Sequence, residues 1–416
     1  MSMKKKLNLI LNQDSTKNFF ILFFGTLLAQ LIPILISPIL TRIYAVELFG
    51  ILALFLSILA VFISISNGKY ELVFFSIKSK IARIANLQLS ILFTIFISIF
   101  ILILLIVNII FDFYKLEYIF LLLPFGILFA GINQAFQYFF NQKGLYKAIA
   151  FNKFFIAFFI SIVQVILGFI FIQFQNIGLI TGVCIGYFIG LIYFLKIYLK
   201  NDKLDLLLKI DLKRVFFVFK KYKNTFHYSL PTAFINSISL NMIVFILGLL
   251  YSPVLLGLYF MATRIVNAPL SVFSSAYSNI FNEKISNSTS KQKLYINSFL
   301  LNLSFSIIVL TPFLLYGEDI FGFIFGDSWR ESGYMIKILA PLIILNFSVG
   351  SISGIFSIFL KNEIVFIWQI IYILIIFCLF ILFKDDFYNF LKYYSFFGAI
   401  AYFVLFLFGL NVIRRV

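Results

Sequence analysis

Charge is scarce in this chain. Only 12% of its 416 residues are charged and 62% are hydrophobic, with mean hydropathy +1.07. An ordinary soluble domain carries about a quarter charged residues, so a water-soluble globular protein is excluded. A multispanning helical membrane protein is the class that fits. Histidine occurs once, at His227, which excludes metal chemistry built on several imidazoles. The two cysteines, Cys184 and Cys378, stand singly inside apolar runs and form neither a disulfide framework nor a thiolate cluster. No nucleophile–base arrangement, phosphate-cradling glycine loop or metal-ligand spacing is visible, so no metal, no cofactor and no catalytic residue is expected. No cleavable signal peptide is expected either. The basic Lys4, Lys5 and Lys6 lead through a polar stretch into a full-length span without a small-residue cleavage site.

What remains is a series of long apolar segments. Hydropathy gives about twelve spans: 18–40, 47–67, 84–111, 116–140, 152–174, 177–199, 227–250, 254–281, 295–316, 333–360, 364–383 and 388–412. The pattern allows the second helix to run on through 68–76. The connections alternate in charge. The basic ones hold Lys4–Lys6 and Lys17; Lys69, Lys78, Lys80 and Arg83; Lys143, Lys147 and Lys153; the run from Lys196 to Lys223; Lys284, Lys291 and Lys293; Lys361; and Arg414 with Arg415. The others are bare or acidic, as at Glu47, Asp112, Glu117, Glu318, Asp319, Asp327, Glu331, Asp385 and Asp386. The positive-inside rule then puts both termini in the cytoplasm. The net charge of +17 is accounted for by topology and attraction to an anionic lipid surface, not by a nucleic-acid partner.

Two halves are suggested by an internal repeat. Leu40, Tyr44, Leu48 and Gly50 recur 207 residues later as Leu247, Tyr251, Leu255 and Gly257. A looser echo pairs Pro124 and Lys143 with Pro341 and Lys361. The expected organisation is a six-helix lobe over 1–199, a cytoplasmic amphipathic linker over 200–225, and a second six-helix lobe over 226–416. Parallel repeats of this kind form two lobes around a central cavity and rock between two open states.

The eighth span, residues 254–281, carries Arg264 near its middle. A charge at that depth costs about 2.5–3.5 kcal/mol on insertion scales, so it faces protein or water. Arg264, Asn267, Ser271, Ser275 and Ser278 share one helical stripe, and Pro269 favours a kink. The repeat offset maps this stripe onto Ser57, Ala60, Ser64, Gly68 and Glu71. The first span has its own stripe, Thr26, Gln30, Pro33, Ser37 and Thr41; the seventh has Ser229, Thr232, Asn236 and Ser239. Arg264 reads as an anion-binding residue, with a structural arginine bonded to carbonyls as the plainer alternative. Lys69 with Glu71, and Arg42 with Glu47, read as gate or substrate contacts or as interfacial ion pairs. Gln30, Asn133, Gln134, Gln137, Asn236, Asn241 and Asn267 suit sugar hydroxyls, or simply hold helices together. His227 reads as an interfacial residue, and the outer stretch 321–335 as a loop anchored by a Trp at the membrane surface.

Residues 24–55 resemble the opening of Wzx-type polysaccharide flippases. The carriers of the resemblance are Gly25-Thr26, Ala29-Gln30, Pro33, Pro38, Thr41-Arg42, Tyr44 and Phe49-Gly50. Lys69-Tyr70-Glu71 is similar to the Arg-Tyr-Glu that follows in relatives, and the stretches 259–269 and 325–341 look similar as well. The resemblance implies a twelve-helix, two-lobed exporter of the multidrug/oligosaccharidyl-lipid/polysaccharide superfamily in the bacterial cytoplasmic membrane. It implies transport of undecaprenyl-diphosphate-linked oligosaccharide repeat units, with polymerase and chain-length proteins of the same pathway as partners. A drug or cation antiporter of that superfamily would want a membrane-buried acid, and the span centres hold none. A polymerase or a glycosyl- or acyltransferase would want a large outer loop or an intramembrane histidine; the longest outer connection expected is 317–332, and His227 lies on the other side.

Overall fold

The computed structural model describes residues 13–112, 117–170, 175–202, 209–288 and 290–414. Lys4–Lys6, the Lys17 side chain and Arg415 lie outside the described residues. The helices are α1 Gln13–Ile43, α2 Val46–Ser66, α3 Lys80–Phe111, α4 Leu123–Gln142, α5 Tyr146–Ile170, α6 Gln175–Asn201, α7 Leu212–Lys221, α8 Leu230–Leu250, α9 Pro253–Asn287, α10 Lys291–Phe325, α11 Arg330–Gly350, α12 Ile355–Ile358, α13 Asn362–Phe383 and α14 Phe387–Arg414. Among the described residues no strand forms, as expected where lipid offers no partner to a sheet edge. Twelve helical segments are long and apolar enough to cross a membrane, and each expected span finds its helix. The chain is an all-α, multi-pass membrane protein.

The chain divides into two compact units, one of 1–43 with 55–237, the other of 44–54 with 238–416. In the first, α5 packs on α1 and α6, and α4 on α3 and α6. Lipid tails are as apolar as leucine, so helices associate through close backbone approach rather than hydrophobic burial. Gly182, Gly186 and Gly190 supply that approach. A methyl added to Gly186 would lie 2.3 Å from Ile160 Cγ1 and 3.0 Å from the Ile156 carbonyl oxygen. One added to Gly25 would lie 2.6 Å from Ala150 Cβ, which fixes the crossing of α1 and α5.

The second unit contains the repeat's own glycines in contact. A Cβ on Gly50 would sit 1.9 Å from the Pro253 carbonyl oxygen, and one on Gly257 2.1 Å from that of Val46. The two equivalent helix starts therefore cross backbone to backbone. Trp329 is fully buried and packs edge-on against Phe49, with ring centroids 4.9 Å apart. This corrects the expectation of a Trp at the membrane surface. The expected loop of 317–332 is also largely absent. Helix α10 runs on to Phe325, bent where Tyr316, four residues after Pro312, leaves helical geometry. Helix α9, by contrast, runs unbroken through Pro269.

The third helix of each half carries a buried polar stripe at every fourth residue: Asn86, Ser90, Thr94 and Ser98 on α3, and Ser298, Asn302 and Ser306 on α10. These serve packing. Ser98 Oγ donates to the Pro124 carbonyl at 2.8 Å, and Asn302 Nδ2 to Ser351 Oγ at 2.9 Å. Within 200–225 the expected amphipathic helix forms as α7. Asp211 caps it by accepting from the Arg214 amide at 3.3 Å. Val215 and Val218 are buried against Tyr70, Val73, Ile77, Ala85 and Leu89, while Leu212, Phe216 and Phe217 are exposed. Beside it, the buried Asp202 pairs with Lys143 and with Lys80, the latter at 2.9 Å. Burial pushes the Asp202 carboxyl up, but hydrogen bonds from Lys143 and Lys80 outweigh it and hold the group below the usual range.

Gly50→Ala and Gly257→Ala are each expected to destabilise the protein by about 1–3 kcal/mol, the range of overpacked contacts. Gly350→Ala, where an added methyl meets only Asn346 Oδ1 at 3.6 Å, is expected to be neutral or stabilising. Thermal unfolding in detergent checks both; equal effects at the three positions would contradict the crossing.

Candidate functional site

Five helices of the first unit surround a cavity of about 540 Å³. Close contacts at small residues bring three of them, α1, α5 and α6, together. The small pair Gly25 and Ala150 lets α1 lie against α5, and the three-glycine stripe of α6 seats on the Asn152–Ile156–Ile160–Gln164 edge of α5. The cavity wall is apolar where it meets Ala29, Pro33, Ile63, Ala130, Ile156, Ala157 and Ile160, and polar elsewhere. Thr26 and Gln30 come from α1, Asn133, Gln134, Gln137 and Tyr138 from α4, Asn152 and Lys153 from α5, and Tyr187 from α6.

The amides are held rigidly. Asn133 Nδ2 donates to the carbonyls of Phe129 and Tyr187, both at 2.8 Å, and Asn152 Nδ2 donates to Asn133 Oδ1 at 3.1 Å. Asn67 donates to Gln134 Oε1 at 3.3 Å and accepts from Thr94 Oγ1 at 2.9 Å. The buried Asn152 Oδ1 accepts no hydrogen bond among the described residues. Lys153 extends its ammonium to Thr26 Oγ1 at 3.2 Å. Among the described residues no carboxylate stands within ion-pairing distance of it. Lys153 lies seven residues into α5, about 10 Å along the helix, inside the segment Tyr146–Ile170. A cation at such a place, set among neutral donors and acceptors, suits an anion flanked by hydroxyl groups.

Of the candidate residues read from sequence, Gln30 lines this cavity, together with Asn133, Gln134 and Gln137. Lys69 and Glu71 do not continue a helical face. Helix α2 stops at Ser66; Gly68 and Lys69 turn left-handed, at φ 60° and 63°, and a 3-10 helix follows over Tyr70–Ser76. Two successive positive φ values end the i→i+4 ladder, and they carry Tyr70 and Glu71 inward. Asn86 Nδ2 pins the turn by donating to the Tyr70 carbonyl at 2.9 Å. Glu71 is 1% exposed, pairs with Lys69 at 3.5 Å through one oxygen, and its Oε2 takes no hydrogen bond among the described residues. Burial pushes its carboxyl above the ordinary range, against the pull of Lys69. Arg42 is exposed in the last turn of α1. Asn236 is half-buried on α8.

In the second unit, Arg264 is half-buried with its guanidinium carbon 5.5 Å above the Phe260 ring, a cation–π contact. Asn267, Ser271 and Ser275 are exposed along α9; Ser271 and Ser275 bond back to the Ala268 and Val272 carbonyls at 2.9 Å each. Ser278 donates to the Ser351 carbonyl at 2.6 Å. His227 is exposed in a single π-helical turn over Thr225–Ser229.

Sequence reasoning missed Lys153, which it had placed among the loop lysines. The available signal was the Asn152-Lys153 pair inside an otherwise apolar run. It also missed the GxxxGxxxG spacing of Gly182, Gly186 and Gly190, a helix-packing motif in lipid.

A family model described as polysaccharide biosynthesis protein matches residues 39–334. No curated protein matches the chain. Among solved structures the chain is similar to an inward-facing multidrug resistance MATE family transporter of the MOP superfamily, with TM-score 0.64 and 13% identity over 95% of this chain and 94% of that one. It is also similar to a MOP superfamily transporter from Pyrococcus furiosus Vc1 (DSM3638), reported with a binding pocket of reversed polarity. There the TM-score is 0.61, with 12% identity over 96% and 97% of the two chains. At such identities the likeness establishes the fold.

A carboxyl whose folded pKa is raised makes the fold most stable when protonated. Thermal stability is therefore expected to fall as pH rises from 4.5, the ordinary value, through the raised folded value. Glu71→Gln keeps the size, loses the titration and is expected to flatten that slope. An unchanged slope in Glu71→Gln would contradict the assignment.

Proposed function

We propose that this chain, which belongs to the polysaccharide biosynthesis protein family, moves undecaprenyl-diphosphate-linked oligosaccharide repeat units across the bacterial cytoplasmic membrane. Its fold is that of MOP superfamily transporters. The observation that carries the reading is Lys153, a cation without a carboxylate partner among the described residues, set at membrane depth in a cavity otherwise lined by amides, hydroxyls and apolar groups. A headgroup of this substrate combines two phosphates with a dense array of sugar hydroxyls. The ammonium meets phosphate charge through charge-assisted hydrogen bonds, worth about 1.5–3 kcal/mol each. Gln30, Gln134 and Gln137 pair with hydroxyls.

The polyprenyl tail has no need of this cavity, because it is soluble in the surrounding lipid. Transport then needs a shelter for the polar head alone, and alternating access of that shelter to the two faces completes the step. Arg264, Asn267 and Ser271 on α9, with Asn236 on α8, are proposed as further headgroup contacts. Lys69, Glu71 and Arg42 are proposed to act at the entry and exit of the route. The proposed partners are the lipid-linked glycan, the bilayer and the polymerase and chain-length proteins that receive the unit. No bond is made or broken in such a cycle, so no catalytic residue is assigned.

A deletion strain is expected to accumulate lipid-linked repeat units on the cytoplasmic side and to lose surface polysaccharide. Complementation with Lys153→Ala is expected to restore translocation at no more than about a tenth of the wild-type rate, the factor for a contact of about 1.4 kcal/mol. Lys153→Arg keeps the charge and is expected to restore most of it. Wild-type surface polysaccharide with Lys153→Ala, at equal protein levels, would sink the assignment.

A further inference from the structure

The second unit holds two cavities that the transport reading does not use. One is a groove of about 550 Å³ between α13 and α14. Its floor is Trp368, whose indole donates to the Ala401 carbonyl at 2.8 Å and stacks on Tyr372 at 5.1 Å. Its rims are exposed apolar residues, Ile367 and Ile371 on one helix, Ile400 and Phe408 on the other. Apart from Asn411 at one end, the lining is apolar or aromatic.

Asn411 marks the end of the groove where α13 begins and α14 finishes. One helical turn further on, Arg414 enters the second cavity, of about 820 Å³, which Lys291, Lys293, Asn297 and Ile413 also line. Lys291 ties this basic pocket to the start of α13, with its ammonium 5.3 Å from the ring centroid of Phe359. The described lining contains three cationic side chains and no carboxylate. An apolar slot thus leads to a cationic pocket, the complement of a molecule with a hydrocarbon chain and an anionic head.

We infer that this face binds an anionic phospholipid, with one acyl chain in the α13–α14 groove and its phosphate among Lys291, Lys293 and Arg414. The length of the slot selects a phospholipid over a long polyprenyl chain. On α13 the lining runs from Ile364 to Ile375, about 16 Å at 1.5 Å per residue. That is about half of a hydrocarbon core of ~30 Å, the depth of one leaflet. The head supplies the negative charge that three clustered cations attract at a membrane surface.

The test is native mass spectrometry of the purified full chain, loaded with phosphatidylglycerol or phosphatidylcholine from defined mixed micelles. The wild type is expected to retain one phosphatidylglycerol at least about tenfold more strongly than phosphatidylcholine. Lys291→Ala/Lys293→Ala/Arg414→Ala is expected to lose that preference. Val404→Trp, which fills the slot and leaves the charges in place, is expected to lower retention similarly. Equal retention of the two lipids, or full retention in both variants, would overturn the inference. So would displacement of phosphatidylglycerol by a substoichiometric amount of undecaprenyl phosphate, which would make this a carrier site. The readout is lipid retention, so it is independent of whether the chain transports glycans.

Discussion

Helices in lipid gain little from burying leucine against leucine, so something else must decide which ones touch. In this chain it is the closeness that glycine permits between backbones. Gly182, Gly186 and Gly190 seat α6 on α5, Gly25 seats α1 on Ala150, and Gly50 and Gly257 let two repeated helix starts cross at their carbonyls. A side chain at any of these places would push a helix outward. The polar groups that face inward would then lose their partners, at several kcal/mol for each group left unsatisfied in hydrocarbon. Packing and polarity are therefore coupled here.

The cavity of the first unit follows from that coupling. Its helices are set by glycine contacts, its amides by one another and by carbonyls, and one cation remains directed at a threonine hydroxyl. Cations that serve a structural ion pair have an acid beside them. Lys143 shows the paired case in the same unit, where with the exposed Lys80 it holds the buried Asp202. Lys153 has no such acid among the described residues, and this contrast separates a positioned charge from a structural ion pair. Membership of a polysaccharide biosynthesis family and a transporter fold are the setting in which the proposed anionic, glycan-bearing substrate is matched to that charge.

Much of the architecture was legible in the sequence, because a bilayer imposes a length and a hydropathy on each helix that few other contexts demand. Gln30 was legible too, since its neighbours Thr26 and Pro33 repeat at helical spacing on the same face. The glycine pair Gly50 and Gly257 stood out as a repeat, though nothing in a repeat says that its copies touch. Lys153 was not legible, because a lysine one residue inside an expected span boundary at 152 counts equally well as loop charge. The start of α5 at Tyr146 sets it seven residues deep instead of at the edge. The fold-back at Glu71 was hidden for another reason. Hydropathy does not encode the left-handed turn at Gly68 and Lys69, and a buried carboxylate looks like a surface one until its neighbours are known. Trp329 followed the usual interfacial preference on paper, but the continuation of α10 past Tyr316 carries it into the core.

The most direct measurement is a structure of the protein with an undecaprenyl-diphosphate-linked oligosaccharide bound in lipid nanodiscs. The account predicts a phosphate oxygen within hydrogen-bonding distance of Lys153 Nζ and sugar hydroxyls against the α4 amides. A bound substrate whose phosphates lie away from Lys153, with the α1–α4–α5–α6 cavity holding neither phosphate nor sugar, would contradict it.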